Sequence, residues 1–184
     1  LDLNTSFTGD DLLYSGLTQG NFTGLSGLAD FDFAESDSTL TLSSFYYSFP
    51  LGPVSVTAGP LMDQDDVVSV TTSQYSDAWK LGGNPYTLPG TTGTGLAFSS
   101  EFGEGFNVAA SYIADNGETP SQGIGTSESD DIVTAMIGYD GEGFGGGIIY
   151  TSLGEGSSST GYDAIGGGVY YSAEKFTLSF TWDS

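Results

Sequence analysis

From Phe176 to Trp182 the chain alternates without a slip. Phe176, Leu178, Phe180 and Trp182 fall on one side, and Thr177, Ser179 and Thr181 fall on the other. A period of two places successive side chains on opposite faces of a pleated strand, and no window of this chain sustains the 3.6-residue period of a helix. The pattern recurs along the sequence. Val54, Val56 and Ala58 alternate with Ser55, Thr57 and Gly59, and Phe106, Val108, Ala110 and Tyr112 alternate with Asn107 and Ser111. It is already running at the first residue, where Leu1, Leu3 and Phe7 oppose Asp2, Asn4, Ser6 and Thr8.

Strands are predicted near 1–9, 11–22, 29–36, 39–50, 53–61, 65–71, 92–102, 105–115, 131–140, 144–153, 163–172 and 176–183, about ten to twelve in all. Tight hairpins are expected at Phe102-Gly-Glu-Gly-Phe106 and Tyr139-Asp-Gly-Glu-Gly-Phe144. Longer polar joints run from Asp115 to Asp130 and around Asn84–Gly90, so short and long connections tend to alternate. No linker or fixed repeat divides the chain, and residues 1–184 read as a single domain.

Composition narrows what such a sheet can do. There are 24 Asp and Glu against 2 Lys and Arg, a formal charge of −22, with neither His nor Cys. Nothing here could neutralise a run of phosphates, so nucleic acid is excluded as a partner. Docking on an anionic membrane through a basic patch is excluded for the same reason. Lack of Cys removes disulfides, thiolate metal sites and thiol nucleophiles. Lack of His removes the commonest general base and transition-metal ligand. The chain is not expected to be an enzyme, since no pair of carboxylates is fixed on a defined scaffold as glycoside hydrolysis requires.

Alternation alone does not separate a soluble sandwich from a membrane barrel, but two features favour the barrel. The polar faces carry small residues, as at Ser55, Thr57 and Gly59, Gly145–Gly147 and Gly166–Gly168, where a water-exposed sheet usually carries Lys, Glu and Arg. Tyr14, Tyr46, Tyr47, Tyr112, Tyr139, Tyr150, Tyr162, Tyr170, Tyr171, Trp79 and Trp182 fall mostly near strand ends, where barrels carry aromatic girdles. No run of about 18 apolar residues could form a helical span. The expected fold is therefore all-β, an antiparallel transmembrane β-barrel of the porin type. Its apolar sides face lipid and its hydroxyl and glycine sides face water.

Three stretches in order then carry a likeness to a known family. Leu3-Asn-Thr-Ser-Phe-Thr-Gly-Asp-Asp-Leu-Leu13 with Leu17-Thr-Gln-Gly-Asn-Phe22 resembles the first barrel strands of cyanobacterial outer-membrane porins. These Som-type proteins are grouped with the carbohydrate-selective or iron-uptake porins. Phe45-Tyr-Tyr-Ser-Phe-Pro-Leu-Gly52, Val56-Thr-Ala-Gly-Pro60 and Gln64-Asp-Asp-Val67 follow, and Gly93–Phe98 through Ala109–Ala114 is a looser match. The resemblance implies a homotrimer in the outer membrane, embedded in the lipid bilayer, that passes inorganic ions and small hydrophilic solutes by diffusion. It also implies that this chain is a segment of a larger barrel, incomplete at both ends, which is why the alternation is under way at residue 1. Where the family carries arginines this chain has Tyr14 and Gly16, and again Leu61, Met62 and Asp63.

Candidate selectivity residues are all acidic. Asp63, Asp65 and Asp66 form the densest cluster, which would either sit on a loop folded into the lumen and favour cations or remain a solvated turn. Asp30, Asp32, Glu35 and Asp37 would be costly facing lipid and are expected to face water. Asp10–Asp11 and Glu128–Asp131 read as solvated loop acids. No cofactor is required, although the oxygens of Asp63, Asp65 and Asp66 would suit Ca²⁺. The second reading left open is a secreted or cell-surface acidic β-rich structural protein with calcium-binding loops. The glycine triplets precede no helix and do not read as phosphate loops; glycine in barrel strands permits bending or lies beneath an aromatic neighbour.

Overall fold

The computed structural model describes residues 1–19, 39–67, 87, 89–115, 117, 121, 123–156 and 160–184, with backbone alone at Asp65 and Asp66. The described residues form ten strands: β1 (Asp2–Thr5), β2 (Leu12–Thr18), β3 (Thr41–Leu51), β4 (Val54–Asp63), β5 (Thr92–Phe102), β6 (Phe106–Ala114), β7 (Asp131–Gly141), β8 (Phe144–Leu153), β9 (Tyr162–Ala173) and β10 (Phe176–Asp183). One helical turn, α1 (Gln64–Val67), follows β4. All ten strands lie in one sheet in sequence order, each antiparallel to the next. Among the described residues the sheet is open, with β1 and β10 as its edges.

Two expectations differ from this outcome. The strand predicted at 65–71 begins instead as α1, because Asp65 and Asp66 are poor strand formers and the chain leaves the sheet after Asp63. The strand predicted at 29–36 lies outside the described residues, as do Asp30, Asp32, Glu35, Asp37 and Trp79. Elsewhere the alternation located the strands to within a few residues, and both glycine hairpins formed. Gly105 (φ 96°) and Gly143 (φ 81°) supply the left-handed backbone that those tight turns require.

The two ends of the sheet are unlike. At one rim the connections are brief: 6–11, Gly52–Pro53, Gly103–Gly105, Glu142–Gly143 and Glu174–Lys175. At the other, the chain leaves one strand and returns in the next only after many more residues: Thr18 to Thr41, Val67 to Thr92, Ala114 to Asp131 and Leu153 to Tyr162.

The faces are equally distinct. Cross-strand pairing runs Ile137–Ile148–Gly167–Trp182 and Tyr139–Gly146–Val169–Phe180 on one face. This face is apolar and uncovered: Ile137, Ile148, Val169, Leu178 and Phe180 are between 51% and 64% exposed. No second layer of the described residues stacks on it. Phe176, Leu178, Phe180 and Trp182 point outward here, while Thr177, Ser179 and Thr181 line the opposite side.

A row of rings edges the apolar face at the short-turn rim. Phe102 stacks on Phe106 at 5.7 Å, Phe106 meets Tyr139 at 4.9 Å and Tyr139 meets Phe144 at 5.4 Å. Phe144 pairs with Tyr171, which meets Phe176 at 6.5 Å. Toward the other rim Tyr112, Tyr150 and Trp182 occupy the same face, six positions farther along β6, β8 and β10. Six residues of strand span about 20 Å. Between the rows this face carries no charged side chain on β5–β10. Every carboxylate within a strand, Asp2, Asp63, Glu101, Asp131, Asp140, Asp163 and Asp183, is the first, second, penultimate or last residue of its element.

Candidate functional site

The face opposite the apolar one mixes small residues with a buried patch of Ile113, Ile132, Met136 and Ile149, and a β-bulge decides what covers it. Ser55, Thr57 and Gly59 of β4 point to this face until the register slips between Gly59 and Met62. Gly59 and Pro60 suit the slip. A Cβ at Gly59 would run into the Phe45 carbonyl and Tyr46, and Pro60 has no N–H to give the ladder. The extra residue reverses the parity of the strand, so Met62 and then Gln64 turn inward. Met62 is fully buried with Ile113, Ile132 and Ile149, a set whose burial is worth about 1.5–3 kcal/mol per side chain.

Gln64 carries the chain onto the sheet. Its Nε2 donates to Thr134 Oγ1 of β7 (2.5 Å) and to the Thr87 carbonyl (3.2 Å). Thr151 Oγ1 of β8 donates to the same carbonyl (2.6 Å), and Thr134 and Thr151 hydroxyls are 3.1 Å apart. Gln64, Thr87, Thr134 and Thr151 are all 0% exposed. The seat works because the cross-strand row on this face, Thr57–Ala97–Ser111–Thr134–Thr151–Ala164, holds nothing larger than threonine.

Beyond this seat, toward the short-turn rim, the row Glu101–Asn107–Gly138–Gly147–Gly168–Thr181 has three glycines in succession. Ser55, Ser99, Glu101 and Asn107 line a cleft of about 220 Å³ at its start. Tyr170 lies over Gly145, where a Cβ would collide with the ring, and donates to Asp140 Oδ1. The strand carboxylates on the small-residue face therefore stand in two groups: Asp2 and Asp183 at the long-loop rim, Glu101 and Asp140 at the other. The one Lys or Arg among the described residues is Lys175, in the β9–β10 turn.

Tyrosines take the part that cations usually play for carboxylates. Tyr14 donates to Asp2 (2.7 Å), Tyr47 to Asp11 (2.6 Å), Tyr112 to Asp131 (2.5 Å) and Tyr150 to Asp163 (2.8 Å). Asp11 is the most heavily held. Its carboxylate also accepts from the Ser6 and Thr8 hydroxyls and from the Phe7 and Thr8 amides. The hydroxyl bonds from Thr8 and Tyr47 hold this carboxyl well below the ordinary carboxylate range. Asp11, read from sequence as a solvated loop acid, is 7% exposed and ties the 6–11 turn to β3.

Of the predicted selectivity residues, Asp63 closes β4 on the same side as Leu61 and accepts from Thr92 Oγ1 (3.2 Å). The bulge therefore brings Gln64 rather than Asp63 onto the small-residue face. Asp65 and Asp66 sit in α1. Among the described residues no three carboxylates converge as metal ligands would. Tyr14 and Met62, two of the positions where the resembled family carries arginine, lie on the small-residue face, Tyr14 stacked on Tyr46 at 4.9 Å. Sequence reasoning missed Gln64, Thr134 and Thr151, whose only signal was the Gly59-Pro60 pair inside a strand. No family of proteins matches the chain, and neither does any curated protein or solved structure.

Proposed function

We propose that this chain forms wall strands of an outer-membrane β-barrel porin, a passive water-filled channel for inorganic ions and small hydrophilic solutes that favours cations. One observation carries the reading: an uncovered apolar face, free of charge between two aromatic rows, backed by a face where hydroxyls and glycines flank a buried patch of Met62, Ile113, Ile132, Met136 and Ile149. In water a contiguous apolar surface of this extent would be a severe liability. In a bilayer it is what the lipid-facing side of a barrel needs, with aromatic residues at both interfaces. Strands β3–β10 run 8 to 12 residues, against the roughly 9–11 needed to cross a membrane at a tilt.

A sheet in hydrocarbon must also satisfy its edges, so this reading requires β1 and β10 to be paired in a closed barrel. The likeness of residues 3–67 to cyanobacterial porins points the same way and suggests a homotrimer. Cation preference follows from charge. With Glu101 and Asp140 at one mouth, Asp2 and Asp183 at the other, and a total of −22, the water path concentrates cations. The acids of 63–66 and of 30–37 would add to that field.

The test is extraction and conductance. The protein should leave membranes only with detergent, run as a heat-modifiable oligomer, and form ion-conducting pores in planar bilayers. A protein that dissolves and stays monodisperse without detergent would exclude the porin reading.

A further inference from the structure

The outer strands of the sheet lack the devices that keep edge strands single. From Phe176 to Trp182, β10 carries no charge, no proline and no bulge, and it pairs with β9 without a register shift. Leu3–Thr5 of β1 is equally bare. Unguarded edges of this kind pair with whatever strand can reach them. No strand among the described residues takes up the outer side of either.

Register decides which strand can reach. A cross-strand row from Thr5 in β1 runs by way of Tyr47, Leu96 and Val133 to Ser152 in β8 and Asp163 in β9. Thr5 is the last residue of β1 before its short turn, whereas Ser152 stands well past Glu142, which opens the short turn before β8. The row thus climbs from the short-turn rim toward the long-loop rim as it crosses the sheet. At β9 it has passed Gly166, the partner of Asp183 at the far end of β10. We infer that β10 pairs with β1 of the same chain and closes a ten-strand barrel, with Thr5 beside Phe176 and Leu3 beside Leu178.

Three features agree with that seam. An even number of alternating strands makes β1 and β10 antiparallel. Keeping the short turns level on one rim puts Thr5, just before one turn, beside Phe176, just after another. One circuit then displaces the row by about ten residues, which at about 3.4 Å per residue and 4.8 Å per strand is a tilt of about 35°. Closed barrels tilt by about 35–45°. The neighbouring register of the same parity, Leu3 beside Phe176, tilts by about 40°. Either one continues the apolar face across the seam, from Phe176 and Leu178 to Leu3 and Leu1. Ten strands lie nearer the eight-strand barrels that side chains fill than the 16–18-strand barrels that leave an aqueous channel. On the porin reading the water path is therefore narrow, but the seam itself stands on register alone.

The chain has no cysteine, so engineered thiols report only the seam. Leu3→Cys is combined in turn with Phe176→Cys, Leu178→Cys and Trp182→Cys in the whole chain, oxidised, and run on non-reducing gels. These four side chains are between 45% and 64% exposed, so the changes spare the packed face. A disulfide needs the two Cα atoms within about 7 Å. A bond within one chain, seen as a shifted monomer band, is expected at 178 or 176 and not at 182, a register that would tilt the strands by only about 23°. A disulfide-linked dimer, a bond at 182, or no bond at any position would overturn the inference. Wild-type protein supplies a check that needs no variant to fold: closure predicts slow hydrogen exchange at successive amides of β10, and fast exchange at every second amide would refute it. A bond formed in protein that needs no detergent would remove the membrane reading and keep the barrel, whereas no bond in detergent-dependent protein would do the opposite.

Discussion

The phenol of Tyr47 on β3 donates a 2.6 Å hydrogen bond to the carboxylate of Asp11, 36 positions earlier in the chain. That bond, with those from Ser6, Thr8 and Phe7, favours the charged carboxylate and lowers its proton affinity. A folded-state value depressed below the unfolded one, near 3.9, gives stability that is complete above about pH 4 and lost as pH falls further. Asp11→Asn should therefore melt below wild type at neutral pH, with the gap closing under acid. Melting curves of both proteins between neutral pH and pH 2 measure it; a gap that stays constant would refute the assignment.

Gln64 should be the least replaceable residue of the turn. Gln64→Leu strands the buried Thr134 contact and removes one donor from Thr87 O, a loss of about 1–3 kcal/mol. Gln64→Glu should be worse, since it sets an oxygen against that carbonyl and buries an unpaired charge. Denaturant midpoints of the two variants give the order.

Ile148 and Thr181 provide a contrast between faces. Ile148 is 55% exposed, so a lysine there would cost almost nothing in water. At the middle of a lipid-facing band it costs about 2–4 kcal/mol. Thr181→Lys, on the small-residue face, should be tolerated. Unfolding titrations in lipid vesicles should show the Ile148→Lys variant far less stable than the Thr181→Lys one, and equal stabilities would count against a bilayer-facing sheet.

Selectivity should trace to the rim acids. Reversal potentials across planar bilayers are expected to favour K⁺ over Cl⁻, most strongly at low salt, because the Debye length is only about 8 Å at physiological ionic strength. Asp140→Asn with Asp183→Asn should reduce the preference without closing the pore. An anion preference in wild type would overturn the cation reading and leave the fold untouched.

Much of the sheet was legible because period-two alternation and glycine turns are local signals. The run Phe176–Trp182 and the hairpins at Gly105 and Gly143 needed no distant information. The aromatic rows were only half legible. Tyr139, Tyr171 and Trp182 took the expected face, but Tyr14, Tyr46 and Tyr170 point the other way, and Phe102, Phe106, Phe144 and Phe176 supply most of the short-rim row. Which face a ring takes is fixed by register, which composition does not carry. The Gln64 seat was hidden for a related reason: one extra residue at Gly59–Pro60 reverses every side chain after it. Asp11 was misjudged because its partners are hydroxyls and amides rather than cations.

The unequal rims bear on where such a chain can change over time. A joint such as Glu142–Gly143 has no slack, and one inserted residue would shear β7 against β8. Lengthening 115–130 costs only the slow logarithm of loop closure, about 0.6 kcal/mol per doubling. Novelty in shape is therefore free to accumulate along one margin while the sheet beneath it stays the same.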